Sequence, residues 1–526
     1  MVLKTVLRAP LAALLIAVAS PVGATPSISP VQFAVAQAAA ADEGIAAFYR
    51  ARDFAPIWMG EGAGARRAAF LRALDNAPDH GLPMQRYDPA AIRAAFAAAR
   101  GASEIGALEV EMTRRFLRYA DDVSAGILDP GSVDRAIKTQ RPVGDPLERL
   151  TEFANGDPHA VVRALWPSTP TYTRLLREKL RLEGLRLTGG WGPRVPDGRF
   201  EPGATGPAVV ALRARLIAMG YLRPGAVVSY DAATEAAIRR FQIDHGLTPD
   251  GTIGPATRAA INVPLGDRLA QVIVNLERQR WMNRELEPRH VLVNIAEQHA
   301  YVVDDGRVTF DTVVVVGADT PDRRTPEFSH TMTHMVVNPS WYVPRSIATK
   351  EYLPQLRRGG ARHLEVYSSS GRVNPRRVDF SRYTARTFPF SLRQPPGPRN
   401  ALGKVKFMFP NRWNIYLHDT PSKSLFGRDL RTFSHGCVRV ARPMELAYHL
   451  LAPQEADAEG FFQSVLRTGR ERRVDLEQPI GVHLVYWSAW VTPTGRTNFR
   501  GDPYGRDVTV LRALRAAGVE LDAERS

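Results

Sequence analysis

Near Arg289 the apolar residues of this chain stop recurring every three or four positions and begin to alternate, and that switch divides what the chain can fold into. Before it, Ile45, Phe48 and Tyr49 share one helical face, as do Phe70, Leu71 and Leu74. Leu108, Met112, Phe116 and Tyr119 recur at helical steps. After it, Val291, Val293 and Ile295 alternate, residues 313–316 form a β-branched run, and Val336-Val337 follows. Strand character returns at Lys404-Val405-Lys406-Phe407-Met408, at Ile415-Tyr416-Leu417, and at Val482, Leu484 and Tyr486. A chain of 526 residues exceeds one hydrophobic core. The expected class is therefore α+β and multidomain: a helical scaffold over 42–195, then a mainly antiparallel β domain over 288–470. Residues 344–400 interrupt the strands with Arg-rich, Pro-containing sequence and read as an inserted lid. Residues 471–526 read as a C-terminal extension whose strand packs on the scaffold or the β domain.

The first residues carry Lys4 and Arg8, an apolar run over 11–19, and the small tripeptide Val22-Gly23-Ala24. That order describes a secretory signal over 1–24, cut after Ala24, with a second possible cut after Ala38. The run falls short of the ~20 residues a spanning helix needs, so no integral membrane segment is expected after cleavage. Residues from the cut to Ala41 read as a tether. The net charge is +15. Nucleic acid is a poor partner for an exported chain; a solvated surface is the ordinary reading of such charge, and an anionic extracellular polymer is the competing one. The excess is concentrated: residues 344–400 hold twelve Lys/Arg against three Asp/Glu. In such a lid, Arg357, Arg358, Arg376 and Arg377 are expected to gather carboxylates.

There is one cysteine, Cys437, within Ser434-His435-Gly436-Cys437-Val438-Arg439. It can form no internal disulfide, and a free thiol outside the cytosol is exposed to oxidation, so its presence asks for a reason. A thiol needs a base or a positive neighbour to become a nucleophile, and His418 ends the apolar run Ile415-Tyr416-Leu417 upstream. Gly436 lets the backbone turn tightly, so that nearby amides could face an oxyanion. His435 and Cys437 lack any recognisable metal-ligand spacing, and no metal or cofactor is expected. His435 is given a supporting role.

Residues 203–264 hold a degenerate tandem repeat. Tyr230-Asp231-Ala232-Ala233-Thr234-Glu235-Ala236-Ala237-Ile238 is echoed by Ile253-Gly254-Pro255-Ala256-Thr257-Arg258-Ala259-Ala260-Ile261. With Val209, Leu212, Leu216 and Met219 as a preceding amphipathic helix, and Phe241-Gln242, Gly246-Leu247, Asp250-Gly251 and Gly254, this stretch resembles a three-helix peptidoglycan-binding module. It departs at Ser229-Tyr230-Asp231, where a glycine-rich turn is usual. The alternative is a purely structural helical spacer.

His418 and the Ser434–Arg439 hexapeptide resemble the signature of L,D-transpeptidases with a YkuD-type catalytic domain. Val316-Gly317 with Thr325-Pro326, the stretch Pro396-Gly397-Pro398-Arg399-Asn400-Ala401-Leu402-Gly403, and Tyr416-Leu417-His418-Asp419-Thr420-Pro421 match as well. The lid, scaffold and binding module are similar to the large Gram-negative branch. The resemblance implies a periplasmic enzyme of cell-wall organization and cell shape, acting on peptidoglycan. Its donor would be a tetrapeptide stem, its acceptor a diamino acid, and its partners would include cell-wall synthesis proteins. Cys437 would attack the bond between the third-position diamino acid and D-alanine, and His418 would serve as base and acid. The thioester would pass to a second stem in a 3→3 cross-link, and carbapenems would acylate Cys437. Ser434, His435, Gly436 and Asp419 would support the oxyanion and the turn, with Asp419 standing where glycine or serine is commoner. Arg439 and Tyr416 would contact substrate. The alternatives are an L,D-carboxypeptidase, in which water resolves the thioester, and a wall-binding protein whose catalytic fold is idle.

Overall fold

The computed structural model describes residues 28–198 and 200–520. The signal expected over 1–24 lies outside them. No helix among the described residues is long and apolar enough to cross a membrane.

The helical part begins earlier than the sequence suggested. The supposed tether is the helix Pro30–Ala39, capped by Ser29, and it packs along the long helix Ala102–Ala125. Val35 is fully buried there, and a Cβ on Gly106 would collide with Ala34. An Ala-rich stretch with small side chains is thus a close-packing surface, which composition alone read as slack. Around this pair, Trp58, Phe70, Phe116 and Phe153 interlock as one aromatic core. Glu109, wholly buried, accepts the Trp58 and Met59 amides at 3.0 Å and the Tyr49 hydroxyl at 2.8 Å. A buried carboxylate is tolerable only with such partners.

The repeat folds as the helices Pro207–Ala218, Ala232–Asp244 and Pro255–Ile261 around Leu212, Leu216, Ile238, Phe241 and Ile261. Gln242 accounts for its own motif: its amide bonds Asp250 and the Thr252 carbonyl while accepting the Gly251 N–H. Tyr230 stands where a glycine turn was expected. It is buried, and its hydroxyl donates to the Gly251 carbonyl, so the two copies are pinned together.

The helix Leu265–Trp281, which periodicity had not singled out, is buried on nearly every side between the scaffold helix Pro170–Leu187 and the C-terminal helix Arg506–Ala516. Its arginines hide it from a simple apolar pattern, because they are buried through ion pairs: Arg280 with Glu277 and Arg278 with Asp507.

The β part runs β1 (Arg289–Asn294), β2 (His299–Asp304), β3 (Arg307–Gly317), β4 (Phe328–Val337), β5 (Trp341–Tyr342), β6 (Glu365–Ser368), β7 (Gly371–Val373), β8 (Ser391–Gln394), β9 (Val405–Met408), β10 (Leu417–His418), β11 (Thr432–Ser434), β12 (Val438–Val440) and β13 (Arg472–Val485). Nine of these form one sheet, ordered β11-β3-β12-β10-β9-β4-β13-β1-β2, and a further pairing of β2 with β3 closes it into a ring. Most pairs are antiparallel, but β1–β13, β10–β12 and β11–β3 are parallel. β13 lies in the middle, between β1 and β4, so the strand expected in a C-terminal extension is an inner stave of this sheet. Beyond it, the hairpin Ala489–Val491 with Thr497–Phe499 leaves the sheet and joins a core that includes Tyr172 and Leu276 of the two helices. The insert has its own sheet, β5-β8-β6-β7, and its own core around Leu353, Val366, Phe380 and Phe388.

Candidate active site

The site follows from strand alternation. β10 and β12 are parallel neighbours with Leu417 opposite Val438 and His418 opposite Arg439. Leu417 and Val438 are fully buried in the sheet's core. Side chains one residue away must point to the other face. Tyr416, His418, Cys437 and Arg439 therefore share that face, and all four line a cavity of about 430 Å³ together with Ser434 and His435.

The His418 Nδ1 lies against the Asp419 carbonyl. A carbonyl can only accept, so Nδ1 carries the proton and Nε2 keeps its lone pair toward the cavity. Burial, with Arg439 nearby, lowers the His418 pKa to about 3, so the ring is neutral at physiological pH. The Asp419 side chain does not join it. Its carboxylate accepts the Lys404 amide at 2.8 Å and pairs with Lys423, tying the preceding turn to the strand end. Gly403, with φ +61°, has no room for a Cβ beside that carboxylate. Asp419 thus orients the ring through its backbone and braces a loop through its side chain.

Cys437 sits across from Tyr416, which faces the sulfur with its backbone N–H and its hydroxyl. The thiol also lies 3.6 Å from the Asn414 carbonyl. Burial pushes the Cys437 pKa up to about 11, against the opposing influence of these Tyr416 bonds and of Arg439 and Lys406. The resting state at neutral pH is a thiol and a neutral imidazole lining one cavity. Lys406 was not singled out from the sequence. Its only sequence signal was alternation along β9, which sets it opposite His418.

The turn before Cys437 is closed by Ser434, whose Oγ donates to the Cys437 carbonyl and accepts the Gly436 N–H at 3.1 Å. Gly436 has φ +109°, a backbone region closed to most other residues. Its amide, expected to face an oxyanion, is thus engaged inside the turn. Tyr416 is a further polar neighbour of the sulfur. His435 reaches the insert, where its Nε2 meets Glu351.

The insert covers the cavity with Trp341, Ile347, Lys350, Glu351 and Tyr352. Arg357, Arg358, Arg376 and Arg377 line neither this cavity nor the one beside it. Arg357 donates to the Tyr383 carbonyl within the insert. Density of charge along a chain says nothing about which way a loop turns its side chains.

From the opposite side, Thr325 donates its hydroxyl to the Gly436 carbonyl and accepts the Gly317 N–H, both at 2.8 Å. Tyr504 bonds the Gly317 carbonyl at 2.6 Å and accepts the Thr325 amide at 3.3 Å. Arg506, fully buried, bonds the Thr325 carbonyl and pairs with Glu327 and Asp134. The turn that carries Cys437 is thereby tied to the C-terminal segment and the scaffold.

An L,D-transpeptidase catalytic-domain model matches residues 288–463, a peptidoglycan-binding-domain model residues 205–261, and a scaffold-domain model residues 43–180. A curated Haemophilus influenzae protein named as an L,D-transpeptidase is 31% identical over 237 residues, which is 44% of this chain and 46% of that protein. The chain thus spans about half the length of that relative. Among solved structures, an L,D-transpeptidase of Xylanimonas cellulosilytica aligns at 19% identity over 56% of this chain and 98% of its own, with a TM-score of 0.18. One from Stackebrandtia nassauensis aligns at 15% over 56% and 97%, with a TM-score of 0.22. Overlays this loose carry no weight beside the sequence matches.

Proposed function

We propose that this chain, which carries an L,D-transpeptidase catalytic domain, a peptidoglycan-binding domain and a scaffold domain, forms 3→3 cross-links between peptidoglycan stem peptides outside the cytoplasm. The observation that carries the reading is the shared face of β10 and β12, with the chain's single cysteine and His418 lining one cavity.

The chemistry follows from those groups. A thiol near pKa 11 and an imidazole near 3 do not form an ion pair at rest. Proton transfer from Cys437 to His418 Nε2 therefore accompanies attack on the carbonyl of the third-position diamino acid. The carbon–nitrogen bond to D-alanine breaks, the protonated imidazole gives its proton to the leaving amine, and a thioester remains. The amine of a second stem then attacks the thioester, His418 takes a proton from it, and the proton returns to the departing sulfur. The Tyr416 N–H and hydroxyl, which face the sulfur, are suited to receive charge developing on the carbonyl oxygen.

The test is incubation of the purified protein with disaccharide-tetrapeptides, with products identified by mass spectrometry. Cross-linked dimers with released D-alanine are expected. Tripeptides alone would make the protein an L,D-carboxypeptidase. Cys437→Ala should abolish turnover and carbapenem labelling, and His418→Ala should slow turnover about 100- to 10,000-fold while remaining folded. An active Cys437→Ala protein would end the proposal.

A further inference from the structure

A second cavity, of about 520 Å³, adjoins the first and shares with it Tyr352, Ala401 and Arg439. The two differ in charge. The nucleophile's cavity is mixed, with Asp322 and Glu351 among its walls. The second is walled by Arg362, His363, Arg399 and Arg439 and by no carboxylate.

These guanidiniums are also unusual in being uncommitted. Other arginines of the insert serve its own fold: Arg345 bonds the Phe388 carbonyl and Arg393 pairs with Glu365. Arg362 and Arg399 make no ion pair among the described residues. The Nε of Arg439 is buried with no hydrogen-bond partner. Arg399 is close enough to His363 to help hold that imidazole neutral. Like charges gathered at one opening, one of them with a buried donor unmet, are unfavourable until an anion arrives. The fold holds the group in place regardless. Gln394 is buried and accepts the Ala401 amide while donating to the Arg399 carbonyl, so the backbone carrying Arg399 is fixed. Arg439 is fixed by the pairing of β12 with β10.

We propose that this second cavity is a carboxylate-binding subsite, occupied during the reaction by a carboxylate of a stem peptide, with Arg439 at the junction beside Cys437 and Arg362 and Arg399 on the outer wall. The choice of arginine suits the task, since its planar fork can meet both oxygens of a carboxylate. The assignment rests on the reading above that the substrate is a peptide stem, and it moves anion recognition away from Arg357, Arg358, Arg376 and Arg377.

One arm of the test needs no turnover. Cys437 is the only thiol, so its alkylation by anionic iodoacetate and by neutral iodoacetamide can be compared in wild type and in R362Q/R399Q. Charge attraction at this range should favour iodoacetate, so the ratio of the two rates should fall about three- to tenfold in the variant at low salt. The difference should close as the screening length shrinks at high salt. The second arm uses disaccharide-tetrapeptide with its carboxylates free or amidated. R362Q/R399Q should raise KM for the free form about tenfold, with kcat changed far less, and should add nothing further to the loss caused by amidation. An unchanged alkylation ratio, or equal losses on free and amidated substrate, would overturn the subsite. Normal wild-type alkylation selectivity in a protein that cross-links nothing would instead count against the proposed function and leave the subsite standing.

Discussion

Two parts of the molecule reach the turn that carries Cys437, and they hold it in opposite ways. The C-terminal segment does so through buried groups: Arg506 is fully buried, its partner Glu327 is 7% exposed, and Tyr504 and Thr325 are shut from solvent. The insert does so through half-exposed ion pairs. Glu351 meets His435 and Arg323, the latter at 2.7 Å, and Lys350 meets Asp322 with both side chains more than half exposed. Exposed pairs are worth ~1 kcal/mol or less, because water competes for both partners. Breaking a buried pair strands a charge. The difference teaches that the C-terminal side holds the turn through groups shut from water, while the insert holds it through contacts that water can compete for.

Acid is the broadest way to break the fixed side. Burial holds His80 and His418 near pKa 3 and His483 near 4, each below its ordinary value. The unfolded chain therefore binds these protons more readily, and the stability they confer is complete above about pH 6.5. It drains away as pH falls from there toward 3. Thermal melts across that window should show a steep decline, and a flat profile would mean these histidines are not held neutral.

Arg506→Ala should follow in size. It leaves Glu327 buried without its cation, a loss of about 3–5 kcal/mol. Urea unfolding followed by fluorescence should show the drop. A wild-type midpoint would put the two sides on an equal footing and end the comparison. Thr325→Val should be milder, at about 1–3 kcal/mol, since it leaves the Gly436 carbonyl and Gly317 amide unmet. Because it acts on the turn, it should also change the rate at which iodoacetamide alkylates Cys437, and Thr325→Ser should restore that rate.

Glu351→Gln should be the smallest, within ~1 kcal/mol. Its signature is local: faster hydrogen exchange over 345–357 at low salt, converging with wild type as salt rises, with melting unchanged. A global loss of stability in Glu351→Gln would show the insert to be as fixed as the C-terminal side.

What the sequence determined by itself was local. The apolar run Ile415-Tyr416-Leu417 sufficed to place His418 at a strand end, because a strand's side chains alternate whatever the strand pairs with. The turn at Gly436 and the repeat over 203–264 were legible for the same reason: their constraints act within a few residues. What only the tertiary structure decided was which distant groups meet. Tyr504 lies 187 residues from the Gly317 it holds, and Arg506 lies 179 from Glu327. Nothing in either neighbourhood marks such a partner. The helix Leu265–Trp281 escaped because its buried charges are paired, Arg280 with Glu277 one turn away and Arg278 with the distant Asp507, so its pattern looked polar while its environment is not. The arginines of the insert make the same point, since Arg362 and Arg399 are indistinguishable in sequence from Arg357 and Arg376. Only the path of the backbone, fixed by Gln394 and the core around Val366, decides which of them face a cavity.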